Sequence, residues 1–250
     1  MRRRRYLLVS VASVAAVLGA WQVCADTGVV QQRLTSSPWD VVQSARYLID
    51  TGQLASAIGA SAVLFVVALG IAVAIGGIAG VAIGWWRLLG AIFEPFIAML
   101  YAMPLIALLP VILVWFGITF QAQVVMVVLI SVFPVLVNVI TGTRNVDAEL
   151  IRLARSFRAS DTEIMRTVVL PSLIPYFVTG VRLAIGGALV GVVVSEYFMG
   201  ENGIGGLIVK AGDILDTGQV FVGITILAVV SVLLTTLLRV AERRLTRWRA

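Results

Sequence analysis

The sequence predicts an all-α membrane protein, a helical bundle of about six transmembrane spans in one domain covering residues 1–250. Hydrophobic residues make up 60% of the chain, whereas soluble domains are about 45–50% apolar. Charged residues make up only 13%, and they cluster between long apolar runs. A chain with this many apolar residues has too few polar residues to cover its surface in water. Lipid must therefore be the solvent for much of the chain.

Six apolar runs are long enough to cross a bilayer, which takes about 20 residues in a helix. They lie at residues 6–24, 56–84, 92–116, 122–142, 174–198 and 219–239. The second run is rich in glycine, with Gly70, Gly76, Gly77, Gly80 and Gly84. Small residues let helix backbones approach closely, so we expect this span to pack inside the bundle.

The first run has two interpretations. Four arginines at 2–5 precede it, and Val23-Cys24-Ala25 follows it, as in a secretory signal peptide. The run is long for such a peptide, and a chain with several spans needs no cleavage. We expect a retained first span, with cleavage as the alternative.

The distribution of basic residues predicts the orientation, because cytoplasmic loops carry an excess of Lys and Arg. With the N-terminus inside, fifteen arginines fall on the cytoplasmic side, and only Arg33, Arg46 and Lys210 fall outside. Both termini and the loop 143–173 are therefore predicted to be cytoplasmic. Residues 25–55 and 200–218 become the outer segments.

The loop 143–173 reads as two short helices. Asp147 and Glu149 place acidic groups at the start of the first, where the helix dipole favours them. Ser160 and Glu163 have the spacing of a capping box, which predicts a second helix from Asp161 and a turn just before Ser160.

We expect Pro171 and Pro175 to interrupt the chain before the fifth span. A helical pair exposed beneath a membrane bundle is suited to docking a partner. The alternative is an interfacial loop whose arginines bind anionic lipid heads.

The same loop carries a resemblance to a known family. Arg152-Leu153-Ala154, Arg158 and Val168-Val169-Leu170-Pro171 have the spacing of the "EAA" loop of ABC importer permeases. Arg152 stands in place of its Glu, Leu153 in place of an Ala and Arg158 in place of its Gly, while Glu149 is one turn away as a substitute carboxylate. Glycine takes a positive φ freely, so Arg158 makes the turn less certain to be sharp.

Other stretches extend the resemblance over nearly the whole chain, specifically to the nitrate/sulfonate/taurine permeases. They are Ser37-Pro38, Pro104 to Pro110 with Trp115-Phe116-Gly117, Asn138 with Gly142 and Arg144, Gly180-Val181-Arg182, Ser195-Glu196 and Gly203-Ile204-Gly205. No single motif is decisive, but their joint order and spacing are specific.

The resemblance implies a type I importer permease in a bacterial inner membrane. Such permeases pair, usually as two identical copies, and bind two copies of an ABC ATPase subunit, while an extracytoplasmic solute-binding protein delivers a small solute, often an anion. The implied coupling residues are Arg152, Leu153, Ala154, Arg158, Ala159, Ser160, Asp161, Leu170 and Pro171.

The chain offers little for catalysis. It has no Gly-x-x-x-x-Gly-Lys-Ser/Thr pattern, and its one lysine, Lys210, lacks the preceding glycine, so ATP would have to be hydrolysed by a partner. With no histidine and one cysteine, Cys24, we expect no disulfide, metal site or cofactor. The net charge of +6 follows membrane topology and indicates no nucleic-acid partner.

Three polar residues within spans are candidates for the pathway or its gate: Asn138, Arg182 and Glu196. Each has a plainer alternative. Asn138 could hydrogen-bond between packed helices, and Arg182 and Glu196 lie near the ends of the fifth span, where their side chains could reach the interface.

Two rival functions remain open. A stand-alone secondary transporter or channel predicts inverted repeats or charged broken helices, and we find neither. An intramembrane enzyme would need a site that a chain without histidine does not suggest.

Overall fold

The computed structural model describes residues 2–28, 32–200 and 202–245, and these ranges contain helices and no strand. The α-helices are α1 Arg2–Asp26, α2 Gln32–Thr35, α3 Pro38–Asp50, α4 Gln53–Trp85, α5 Arg87–Ala102, α6 Leu109–Phe116, α7 Phe120–Arg144, α8 Ala148–Ser156, α9 Asp161–Ile164, α10 Leu170–Met199, α11 Ile204–Asp213 and α12 Thr217–Leu245. A 3-10 turn, Leu105–Leu108, precedes α6, and a π-helical turn, Met165–Val169, joins α9 to α10.

Four helical stretches of the described chain are long and apolar enough to cross a membrane, and the bent pair formed by α5 and α6 can count as a fifth. Within the described residues, α1 also contains a shorter apolar helix, Ala12–Asp26. The predicted bundle has about six spans. Its first span lies in α1, and the others correspond to the four long helices and the bent pair. Arg247 and Arg249, which enter the orientation argument, lie outside the described residues.

The third predicted span, 92–116, corresponds to a bent pair of helices. Its helix starts earlier, at Arg87, and bends by 94° between Ala102 and Leu105. The cause is Pro104, which lacks an N–H and disfavours helical geometry in the residue before it. Met103 accordingly has an extended backbone, with φ −80° and ψ 142°. The break carries no charged residue.

The fifth span is also not interrupted where we expected. One continuous helical run extends from Asp161 to Met199, through both Pro171 and Pro175. A π-helical turn precedes Pro171, where the N–H of Leu170 donates to the carbonyl of Met165, five residues back. The wider turn offsets the backbone where the Pro171 ring would otherwise clash with a carbonyl.

Glycines of α4 form a stripe against α7, as expected. An ideal Cβ placed on Gly76, Gly80 or Gly84 would lie 2.8, 2.7 or 2.6 Å from the Cβ of Val135, Val139 or Thr143. Such distances leave no room for a side chain. Gly70 is different, because nothing lies within 4 Å of its ideal Cβ.

The chain divides into two compact units, Met1–Ser61 with Glu201–Ala228 and Ala62–Gly200 with Val229–Ala250. In the first unit, the hydroxyl of Ser37 accepts a hydrogen bond from the N–H of Asp40 at 3.1 Å and caps α3. The side chain of Leu48, on the same helix, is fully buried. The start of α11 is fixed to α4, because the N–H of Ile204 donates to the Ser61 hydroxyl at 2.8 Å.

In the second unit, α7 and α10 pack along most of their lengths. The glycines on the two helices permit this close approach. An ideal Cβ on Gly142 would lie 2.7 Å from Tyr176, and one on Gly180 would lie 3.0 Å from the Cα of Val135. The main core of this unit, which includes Val139 and Leu173, lies against this helix pair and extends beneath the predicted coupling loop.

Candidate coupling segment

The first helix of the loop, α8, begins as its acidic residues predict. A side-chain oxygen of Asp147 accepts from the N–H of Glu149 at 2.8 Å, so Asp147 caps the helix. The carboxylate of Glu149 lies 3.8 Å from the guanidinium of Arg152, and both side chains are exposed. Glu149, the carboxylate that could substitute for the Glu of the EAA loop, therefore already lies close to Arg152.

α8 has two apolar faces. Ile151 and Ala154 face inwards and pack against the core cluster that contains Ile164 and Val169. A neighbouring face presents exposed apolar side chains at helical spacing: Leu150 and Leu153 on α8 and Phe157 directly after its end, the last with 79% of its surface accessible. We call these three residues the apolar strip. A short helix held to the core by one face, with exposed apolar side chains beside that face, is suited to contact another protein.

The turn after α8 lies at Arg158, as predicted. The N–H of Ala159 donates to the carbonyl of Ala154 at 3.1 Å, and the N–H of Arg158 to that of Arg155 at 2.9 Å. This pair of bonds is a Schellman motif, which normally places glycine in a left-handed conformation. Arg158 adopts that conformation, with φ +59°. The sharp turn is thus kept without the glycine, at a cost of about 1–2 kcal/mol.

The second helix starts with the predicted capping box. The hydroxyl of Ser160 accepts from the N–H of Glu163 at 3.3 Å, and the Glu163 carboxylate accepts from the N–H of Ser160 at 2.7 Å. Asp161 lies 3.6 Å from Arg155, so an ion pair bridges the turn.

Beyond the turn, the predicted site residues Leu170 and Pro171 lie at the start of α10. Leu170 is exposed and borders an apolar cleft of about 630 Å³ in the second unit. Met165 and Phe177 line the same cleft from the helical run, and Val81 lines it from α4. Pro171 is half-buried.

An ion pair fixes the chain just before the loop. Arg144, in the last turn of α7, donates to the carboxylate of Glu94 on α5. Gly90 makes room for this contact, because an ideal Cβ there would lie 2.5 Å from the Arg144 guanidinium. The end of α7 is thereby tied to the bent helix pair.

The candidate pathway residues do not form one cluster. Asn138 is half-buried, and its amide donates within its own helix, to the carbonyl of Pro134 at 2.8 Å. Arg182 is half-buried on α10. Glu196 is buried, with only 1% of it exposed, so the alternative in which its side chain reaches the interface does not apply. It follows Val192 by one turn on the buried stripe of α10, some 21 Å along that helix from Arg182.

Sequence reasoning missed two residues of the surface, Leu150 and Phe157. The signal was available, since positions 150, 153 and 157 recur at helical spacing and share one face. Within the described ranges, no group of three His, Cys, Asp or Glu side chains could hold a metal ion. What the segment offers chemically is an apolar, arginine-flanked surface.

Relatives named as transport permeases match two thirds or more of the chain. A Bacillus subtilis (strain 168) protein provisionally named the aliphatic sulfonates transport permease SsuC is 32% identical over 237 residues, 94% of this chain and 85% of its own. The Escherichia coli (strain K12) taurine transport system permease TauC is 28% identical over 98% of this chain and 90% of its own. The Chloroflexus aurantiacus riboflavin permease RibX is 34% identical over 66% of this chain and 61% of its own.

The match to a family model covers most of the membrane region. Residues 72–247 fit the model described as the binding-protein-dependent transport system inner membrane component. This range includes the bent helix pair, the α7–α10 seam and the candidate coupling segment. The chain belongs to the family of binding-protein-dependent transport system inner membrane components, which are transport permeases.

Proposed function

We propose that the chain is the translocating subunit of an ATP-driven importer and that the segment from Asp147 to Pro171 receives an ABC ATPase. The observation that carries this is the apolar strip. Leu150, Leu153 and Phe157 stay exposed, while Ile151 and Ala154 of the same helix pack into the core. Large exposed apolar patches usually mark contact sites.

The way the segment is built supports the transmission of force. The capping box and the Schellman turn leave little freedom between α8 and α9. The helix that begins at Asp161 then continues without a break to Met199. A push on the apolar strip would therefore act on one end of a spanning helix, which is what alternating access driven from outside the membrane requires.

The remaining parts of the proposal rest on the family and on charge. We place both termini and residues 143–173 in the cytoplasm, on the arginine distribution. The whole chain, 1–250, would act as one transmembrane domain that pairs with a second identical copy, two ATPase subunits and an extracytoplasmic solute-binding protein. Arg182 and Glu196, together with Asn138, remain proposed pathway or gating residues.

The solute is proposed to be a small anion. Two of the relatives above are named for aliphatic sulfonates and taurine. Another is named for riboflavin, so membership of the family alone does not fix the solute. The stand-alone transporter remains a weaker candidate, because the break at Pro104 carries no charged residue to bind a coupling ion.

Co-purification tests the proposal. The tagged chain is expressed with the ATPase encoded beside it, captured from detergent and reconstituted with the binding protein. We expect the ATPase to co-purify, the complex to hydrolyse ATP and take up a sulfonate, and the chain alone to do neither. Hydrolysis by the chain alone, or uptake without an ATPase, would contradict the proposal.

A further inference from the structure

Arg158 occupies a backbone position that glycine would fill without strain. Its φ of +59° is left-handed, as the Schellman motif at the end of α8 requires. Two other non-glycine residues of the described chain have a positive φ, Ser36 and Leu215, and neither carries a charge. A strained residue that the turn itself does not need points to a function for its side chain.

The charge of Arg158 is not balanced within the segment. The two arginines of α8 both lie near carboxylates: Arg152 is 3.8 Å from Glu149, and Arg155 is 3.6 Å from Asp161. The other two carboxylates of the segment cap the starts of α8 and α9. Among the described residues, no ion pair joins Arg158 to a carboxylate. Its guanidinium, which is exposed, is therefore available to a group outside this chain.

The helix dipole does not account for an arginine at this position. A cation near the C-terminus of a helix is favourable, but on an exposed surface the gain is smaller than the cost of the left-handed conformation. The last turn of α8 also contains Arg155 already. The position next to Phe157 offers a better explanation, because Phe157 is the most exposed member of the apolar strip. A partner that covers Phe157 would also meet the residue that follows it.

We propose that Arg158 is a specificity-determining residue of the docking segment and that it pairs with a carboxylate on the ATPase. The inference deepens the proposed function and rests on it. An aspartate or glutamate in the receiving surface would accept two parallel hydrogen bonds from the guanidinium. The apolar strip supplies contact area, and Arg158 selects an ATPase that carries the matching acid.

A zero-length crosslink tests this pairing directly. The chain has one lysine, Lys210, which the predicted topology places outside the cell membrane. Arg158→Lys therefore adds a single side-chain amine on the cytoplasmic side, and a carbodiimide joins an amine only to a carboxylate in contact with it. We expect Arg158→Lys, co-expressed with the ATPase, to form a crosslink whose peptide masses identify the ATPase carboxylate. Arg87→Lys, at an exposed position outside the segment, should form none.

The affinity of the ATPase for the full chain in phosphatidylcholine nanodiscs is the second measurement. We expect Arg158→Gly to weaken binding about tenfold, as for loss of one charge-assisted contact. A purely structural role predicts the opposite, because glycine relieves the turn. Arg158→Lys keeps the charge and should stay within about threefold of the parent. Arg87→Gln removes an equal charge elsewhere on the same side and should leave the affinity unchanged.

Equal affinity of the parent and Arg158→Gly, or no crosslink from Arg158→Lys to the ATPase, would overturn the inference. So would an equal loss of affinity in Arg87→Gln, which would show a general effect of charge. An effect of Arg158→Gly that occurs only in nanodiscs containing phosphatidylglycerol would assign the arginine to lipid headgroups instead. If the parent binds the ATPase and any of these results is obtained, only this inference fails. If the parent does not bind the ATPase, the proposed function fails as well.

Discussion

The backbone N–H of Ala159 donates to the carbonyl of Ala154 at 3.1 Å and closes the turn between α8 and α9 around Arg158. The two alanines also pack against the same core cluster. This contact fixes the angle at which the apolar strip is presented. Arg158, with its positive φ, is the strained residue of the turn.

Arg158→Gly should therefore stabilise the turn. Glycine removes the cost of the left-handed conformation but adds chain entropy, so we expect a net gain of about 0.5–1 kcal/mol. Hydrogen exchange measured by mass spectrometry on the peptide covering 150–165 should slow about threefold. Arg158→Val should accelerate it, because a β-branched residue fits this conformation poorly. Equal exchange in both variants would contradict the assigned turn.

Ser160→Ala should weaken the start of α9 by roughly 0.5–2 kcal/mol, the usual effect of losing such a cap. Glu163→Gln should retain most of the capping box, since Gln also serves at that position. Hydrogen exchange of the peptide covering 150–165 measures the effect of both substitutions. Thr162→Ala, which shortens an exposed side chain in the first turn of the same helix, is the matched control. Faster exchange in the control than in Ser160→Ala would exclude the capping role.

Gly80→Ala should destabilise the protein, because its Cβ would meet Val139 at 2.7 Å. Overpacking of this kind costs about 1–3 kcal/mol. Gly70→Ala, in the same helix but with open space around it, should be neutral or stabilising. Thermal unfolding in detergent distinguishes the two. A lower melting temperature for Gly70→Ala than for Gly80→Ala would show that the glycine stripe is not packed as described.

The local features of the coupling segment could be predicted from the sequence. The caps at Asp147 and Ser160 and the turn near Arg158 depend on short-range hydrogen bonds, which spacing alone specifies. The continuous helix through Pro171 could not, because it depends on a π-helical turn that has no simple sequence signal. The 94° bend at Pro104 had a signal in the proline itself, which the apolar length of 92–116 outweighed.

Tertiary burial explains the other differences. Glu196 lies near the end of a predicted span, where hydropathy favours exposure, but the helical phase of α10 turns it to the buried side. The exposed position of Phe157 likewise depends on which face of α8 meets the core. The sequence of one helix does not show which of its faces is buried, because that depends on the helices packed against it.

The orientation makes a prediction of its own. In a Cys24→Ser background, Ser156→Cys should react with an impermeant maleimide only after the membrane is opened. Ile214→Cys, which replaces an exposed residue of the predicted outer segment, should react in intact spheroplasts. Labelling of Ser156→Cys from outside would reverse the assigned topology.

The most direct test of the coupling role is ATPase capture by Phe157→Ser. Because 79% of Phe157 is exposed, its loss should leave folding intact while removing the centre of the docking surface. Tyr47→Ser, an exposed aromatic on α3, is the matched control. Ala154→Asp, which places a charge where α8 meets the core, provides a second variant.

The measurement is the amount of ATPase co-purified per permease, with ATP-dependent uptake in the same vesicles. The account predicts at least about a tenfold loss of both for Phe157→Ser, as for a central interface residue, and none for Tyr47→Ser. Capture and uptake at the parental level in both Phe157→Ser and Ala154→Asp would show that this segment does not receive the ATPase.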